Sequence, residues 1–231
     1  MQKLSYRRHR FHPDVIRQAV WLYFRFTLSF RDVEDLLAER GIDVSYETVR
    51  LWVLKFGPAY SRRICKRGGP AFNVWHLDEV FVNIGGKQMY LWRAVDGEGT
   101  VLDVLVQKRR NKRAALRLMR KLLKNQDVHP TQIVTDKLKS YGAALRELGL
   151  GHIHETGKRL NNRAESSHVP IRRRERKMQS FKSQKSAQRF LSTYGPIYNL
   201  FNLHRHLISR RTLRTFRNHA MAEWQTVTAA V

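Results

Sequence analysis

The run Val74–Ile84 reads VWHLDEVFVNI and is followed at once by Gly85-Gly86. Its branched and aromatic residues predict a β-strand, and the paired glycines predict a tight turn. Asp78 and Glu79 stand in its middle. Successive side chains of a strand point to opposite faces, so Asp78 goes with Val74, His76, Val80 and Val82, and Glu79 with Trp75, Leu77 and Phe81. Whichever face is core, one carboxylate meets it. A buried carboxylate without a partner costs several kcal/mol or takes up a proton. The fold must therefore bring positive charge to this strand.

Asp136 poses the same problem, because it ends the short apolar run Gln132–Thr135 at a position where sites open in α/β sheets. A hard divalent cation compensates both residues, since Mg²⁺ takes carboxylate oxygens and keeps its remaining positions for water or phosphate. Two carboxylates hold a metal poorly in a chain with 44 Lys+Arg against 19 Asp+Glu, so a third is expected. Glu147 lies in a predicted surface helix, and Glu175 sits inside RRRERK, where arginine can pair with it. Glu155 ends a short strand, and Glu165 follows the candidate caps Asn161-Asn162 in the first turn of a helix. Each of the four, taken singly, also reads as an ordinary surface carboxylate.

The net charge of +25 and pI of about 11.0 would make a compact monomer repel itself, which points to a polyanionic partner, nucleic acid first. A membrane surface is disfavoured, because the start MQKLSYRRHR is polar and no run of eighteen apolar residues follows. The single Cys65 forbids an internal disulfide and fits a reducing cytoplasm. The histidine pairs His152/His154 and His204/His206 do not have zinc spacing.

Residues 12–57 carry three helical patterns. The first buries Val15, Ala19, Leu22, Tyr23 and Phe26; the second starts at the capping sequence Ser29–Asp32 and ends at Gly41. The third starts at Ser45, buries Val49, Trp52, Val53 and Phe56, and stops at Gly57-Pro58. Three short helices with a brief turn before the last suit a helix-turn-helix unit. Thr48, Arg50, Leu51 and Lys55 lie outside the apolar stripe and are candidates for reading DNA. Residues 1–60 form this unit, 61–71 read as a linker, 72–207 as the main domain and 208–231 as a tail without assigned role.

From residue 72 the period changes to that of strands. Val74–Ile84, Lys87–Val95 and Val101–Gln107 predict two successive hairpins. A helix over Lys112–Leu123, the strand Gln132–Thr135, a helix over Ser140–Leu148, a strand over His152–Glu155 and helical sequence from Asn161 follow. The layout is α/β and resembles the ribonuclease H fold, behind an N-terminal all-α domain. An aromatic stripe within Lys185–Leu207, including Phe190, Tyr194, Tyr198 and Phe201, predicts a packing helix.

Three blocks in order, WHLDEVFVNIGGKQMYLWRAVD, VTDKLKSYG and LNNRAESSHVPIRRRERKMQSFKSQKSAQRFLS, closely resemble bacterial insertion-sequence transposases of the DDE type, nearest the cointegrate-forming IS-six family. The resemblance implies that Asp78, Asp136 and Glu165 are the catalytic, metal-binding acids, with a shorter connection between the last two than is usual. It implies two Mg²⁺ per site, with Mn²⁺ as a substitute, and transfer of a freed 3′-hydroxyl into target DNA after water-driven nicking at terminal inverted repeats. Arg172, seven residues after Glu165, takes the place of a phosphate-holding basic residue, and Arg173, Arg174, Arg176 and Lys177 become backbone contacts. Two element ends imply at least a dimer, acting in the bacterial cytoplasm at the nucleoid. The competing expectation is a helix-turn-helix regulator with an inert or oligomerising α/β domain, and a further variant is a hydrolytic nuclease.

Overall fold

The computed structural model describes residues 4–126, 128–157, 161–203 and 207–230. Along the chain run α1 (Pro13–Arg25), α2 (Phe30–Ala38), α3 (Tyr46–Arg67), β1 (Val74–Ile84), β2 (Lys87–Asp96) and β3 (Val101–Gln107). Then come α4 (Lys112–Asn125), β4 (Gln132–Thr135), α5 (Lys139–Glu147), β5 (His154–Thr156) and α6 (Asn162–Ser167). The last helices are α7 (Val169–Lys177), α8 (Gln184–Phe201) and α9 (Arg210–Thr228). The chain forms two compact units, one of residues 1–68 with 196–231 and the other of residues 69–195.

In the first unit, α1 and α2 pack on α3. Ser29 and Asp32 form the expected capping box on α2, and the Ser45 hydroxyl accepts from the Thr48 amide to start α3. The expected α3 face of Val49, Trp52, Val53 and Phe56 is buried. Two expectations are corrected. The buried face of α1 is Ile16, Ala19, Val20, Tyr23 and Phe24, one residue round from the expected stripe, because both rows are apolar and Phe26 is left on the surface. α3 also runs through Gly57-Pro58 to Arg67, so the expected linker begins inside a helix. Pro58 removes one helical hydrogen bond, but the extra turns bury Tyr60 and Ile64, which offsets it.

The partner of those turns is the segment expected to be a tail. α9 packs on α3, with Trp224 edge-on to Tyr60 at a 5.3 Å centroid distance. The Tyr6 and Tyr60 hydroxyls lie 2.7 Å apart, and Tyr6 donates on to the Thr228 carbonyl. Arg63 Nη1 donates to the carbonyls of Val227 and Ala229, at 3.0 and 2.7 Å. The first and last elements of the chain thus share one core.

The second unit is a five-stranded sheet of order β3-β2-β1-β4-β5, with β3, β2 and β1 antiparallel and β1, β4 and β5 parallel. Two hairpins followed by helix-linked parallel strands give the ribonuclease H-like arrangement. Gly85 and Gly86 take φ of 58° and 75°, the left-handed pair that a two-residue hairpin turn requires. One face of the sheet buries Trp75, Leu77, Trp92 and Ile133 against Leu118, Met119 and Leu122 of α4 and Tyr141 and Leu145 of α5. α6 packs on β1 and β2. Gln188 accepts from the Val106 amide at 2.8 Å and donates to the Val104 carbonyl at 3.0 Å, so α8 occupies the open edge of β3.

Smaller shifts separate expectation from structure. A 3-10 turn covers Gly151–Ile153, and β5 starts only at His154. α8 buries Leu191, Tyr194, Ile197 and Phe201 as expected of a packing stripe but ends at Phe201 rather than Leu207; His204 and His206 lie outside the described residues. Among the described residues, no helix is long and apolar enough to cross a membrane.

Candidate active site

β1 pairs with β4 only from Val74↔Gln132 to Leu77↔Thr135. Asp78 and Glu79 lie just past that pairing, and Asp136 follows the last residue of β4. Where the β1–β4 pairing stops, one carboxylate oxygen each from Asp78, Glu79 and Asp136 lies within 4.8 Å of the others in a notch. Parity forced one acid of the 78–79 pair inward; the structure buries both, at 7% and 8% exposure.

Each acid has its own partner. Asp78 Oδ2 lies 3.1 Å from His168 Nε2, and both side chains are buried. Burial lowers the His168 pKa and the Asp78 contact opposes this, so the ring is held neutral and Nε2–H donates to the carboxylate. Its Nδ1 has no hydrogen-bond partner among the described residues. Glu79 Oε1 accepts from Arg110 Nε at 2.6 Å. Burial raises the Glu79 pKa to about 7, the charge of Asp136 adds to that, and Tyr141 and Arg110 oppose it. Arg110 Nη2 also reaches Asp136 Oδ2 at 3.5 Å, while Asp136 Oδ1 accepts from the Leu138 amide at 3.0 Å. One guanidinium thus spans two of the three carboxylates.

Glu165 stands outside this group, exposed on α6 one helical turn before His168. Its helix is tied to β1 by Asn161, whose Nδ2 donates to the Leu77 carbonyl at 2.9 Å. Asn161 was expected to cap α6; it holds the cap position but makes no side-chain cap bond, because the side chain is turned to the strand through Nδ2, and Oδ1, the atom that would accept a cap bond, has no partner among the described residues. α6 ends at Ser167 and α7 starts at Val169 with Pro170 in its first turn, so the helical path from Glu165 to Arg172 is interrupted at His168.

The basic candidates separate by burial. Arg172 Nη1 donates to Glu175 Oε2 at 3.1 Å, and Glu175 Oε1 accepts from the Asn83 amide. Arg173, Arg176 and Lys177 are exposed. Arg174 is a correction: it is 1% exposed, with its guanidinium 5.8 Å from the Phe190 ring centre, and is not presented to a phosphate. In the first unit, Arg50 pairs with Glu47 and Lys55 Nζ lies 2.8 Å from His9 Nε2, both near the surface, while Thr48 shares the Ser45 cap.

The donor set at the notch is all carboxylate oxygen, without thiol or imidazole among the clustered acids, and this suits a hard divalent cation. Sequence reasoning missed Glu79 as a neighbour, and Arg110, Asn161 and His168 as partners. Only the three-residue spacing of Glu165 and His168 hinted at the last.

The chain is similar to known transposases. Residues 73–204 match the DDE domain of IS240-type transposases. The transposase for insertion sequence-like element IS431mec of Staphylococcus aureus is 34% identical over 198 residues, covering 84% of this chain and 88% of the relative. The transposase for insertion sequence element IS257 in transposon Tn4003 of the same species is 33% identical over the same shares. A looser structural likeness, TM-score 0.39 at 13% identity, covers 66% of this chain and 99% of the BIV integrase catalytic core domain.

Proposed function

We propose that this chain, which belongs to the IS-six family of DDE insertion-sequence transposases, nicks the 3′ ends of its own element and joins them to target DNA. It is an enzyme of the polynucleotidyl-transferase type, and its DDE domain implies dependence on a divalent metal. The observation that carries the finer reading is the approach of the Asp78, Glu79 and Asp136 oxygens to within 4.8 Å.

In this reading Asp78 and Asp136 are metal ligands and Glu165 is the third, brought in from α6. The cation is Mg²⁺, two per site, with Mn²⁺ as a substitute; such a pair, when bound, neutralises phosphate charge and activates the attacking oxygen. His168 holds Asp78 Oδ2 and leaves the other oxygen for the cation. Arg110 offsets the charge of Glu79 and Asp136. The proximity of Glu79 favours a second arrangement, with Glu79 as third ligand. Its Oε1 is paired with Arg110 and burial raises its pKa, so a cation there would have to share the carboxylate with a guanidinium and displace its proton.

Thr48, Arg50 and Lys55 of α3 read the terminal inverted repeats. Arg173, Arg176 and Lys177 contact phosphates, and Arg172 does so by exchanging Glu175 for the DNA. At least a dimer holds the two ends, in the bacterial cytoplasm at the nucleoid. The test is to incubate the protein with a duplex ending in the element's inverted repeat, a supercoiled target and Mg²⁺. Covalent joining of the 3′ end to the target is expected, and cutting without joining would reduce the protein to a hydrolytic nuclease.

A further inference from the structure

α9 is covered only in its second half. Ala220, Trp224, Val227 and Thr228 are buried against the first unit, whereas Arg210, Arg211, Arg214 and Arg217 are all exposed. Arg210, Arg214 and Arg217 follow the i, i+4, i+7 spacing, which stacks them on one face of the helix over about 10 Å. None of these arginines has an ion-pair partner among the described residues, and the first acid after Ser209 is Glu223.

This arrangement works against the free protein in two ways. Like charges three and four residues apart repel along the helix surface. Cations in the first turns also face the positive end of the helix dipole, and the first turn of α9 carries no acid to relieve it. Ser209 still caps the helix, accepting from the Thr212 amide at 3.1 Å, so the segment is built as a helix despite its charge. A polyanion removes both penalties. Each strand of a duplex carries one phosphate per about 3.4 Å of its axis, so a stripe of three guanidinium groups about 10 Å long has phosphates within reach along its length.

We propose that the first half of α9 is a second DNA-binding element, in which Arg210, Arg214 and Arg217 contact the phosphate backbone without reading sequence. It rests on the reading that α3 handles DNA, and extends that footprint from the helix on which α9 is docked. Backbone contacts fix orientation and carry affinity, and α3 supplies discrimination.

The test uses the full chain and fluorescence anisotropy on two duplexes, one with the element's inverted repeat and one unrelated, over a range of salt. Arg210→Gln/Arg214→Gln/Arg217→Gln, which keeps good helix formers at exposed positions, should weaken both duplexes by a similar factor. It should also lower the slope of log affinity against log salt by roughly 2–3. The same three changes to lysine should leave the slope as in the wild type, which separates lost charge from lost folding. Arg50→Ala/Lys55→Ala should instead cost the repeat-bearing duplex more. An unchanged slope in the glutamine variant overturns the proposal, as does a change in sedimentation mass without a change in slope, which would make the stripe a contact between copies. Failure of the wild type to bind either duplex would overturn the underlying DNA reading instead.

Discussion

His168 Nε2 lies 3.1 Å from Asp78 Oδ2, across ninety residues of chain, with both side chains buried. The contact orients a carboxylate that the proposed mechanism needs to face a cation. Partners of this kind fix metal ligands, and their loss costs roughly 10–100-fold in metal affinity. His168→Ala should lower Mn²⁺ affinity by about that factor, measured by calorimetry on the full chain. His168→Gln, which keeps a donor, should recover part of it. Equal affinity in both variants and the wild type would remove His168 from the site.

In the proposed mechanism Glu79 and Glu165 are the two candidates for the third metal ligand. Glu165→Gln should reduce strand joining by on the order of 10²–10³, as losing one electrostatic stabiliser of the transition state does. Glu79→Gln should cost much less, because Arg110 and burial already occupy that carboxylate. A joining assay with both variants decides between the two arrangements, and the reverse ranking would make Glu79 the ligand.

Trp224 ties the C-terminal helix to the first unit through Tyr60 and lies 6.0 Å from the Phe201 ring centre. Trp224→Ala should destabilise that unit by about 3–5 kcal/mol, read as a lowered urea midpoint by tryptophan-independent circular dichroism. A midpoint within error of the wild type would show that α9 is an appendage.

His154 has its pKa lowered by burial and by Arg146, and its Nε2 lies 2.9 Å from the Thr135 hydroxyl. The native state therefore binds fewer protons at this residue than the unfolded chain. Stability from this group is fully present above the unfolded pKa of about 6.5 and is lost as pH falls through the lowered folded value. Thermal midpoints should fall between pH 7.5 and 5.5, and His154→Gln should flatten that fall. A slope unchanged by the substitution would place its origin elsewhere.

Much of the sheet was legible because its strands are punctuated. β1 ends at Gly85-Gly86, β3 follows the turn after Asp96, and β4 is short and apolar, so periodicity set their limits to within a residue. α3 was cut short in the reading because Pro58 is a strong local signal, whereas the packing that overrides it comes from Trp224, more than 150 residues away. The site was half legible for the same reason. Asp78 and Asp136 announce themselves as charges on apolar strands. Arg110, Asn161 and His168 meet them only through long-range contacts that no local pattern encodes. Arg174 failed because composition marks a basic run but does not say which of its members faces Phe190.

In the proposed mechanism, carboxylates from the middle of β1 and from just after β4 grip divalent metal together. Calorimetric titration of Mn²⁺ into the wild type, Asp78→Asn and Asp136→Asn measures this without any turnover. Saturable binding in the wild type that both asparagine variants lose, while their affinity for repeat-bearing duplex is kept, is the predicted result. Metal binding that survives both changes would contradict it.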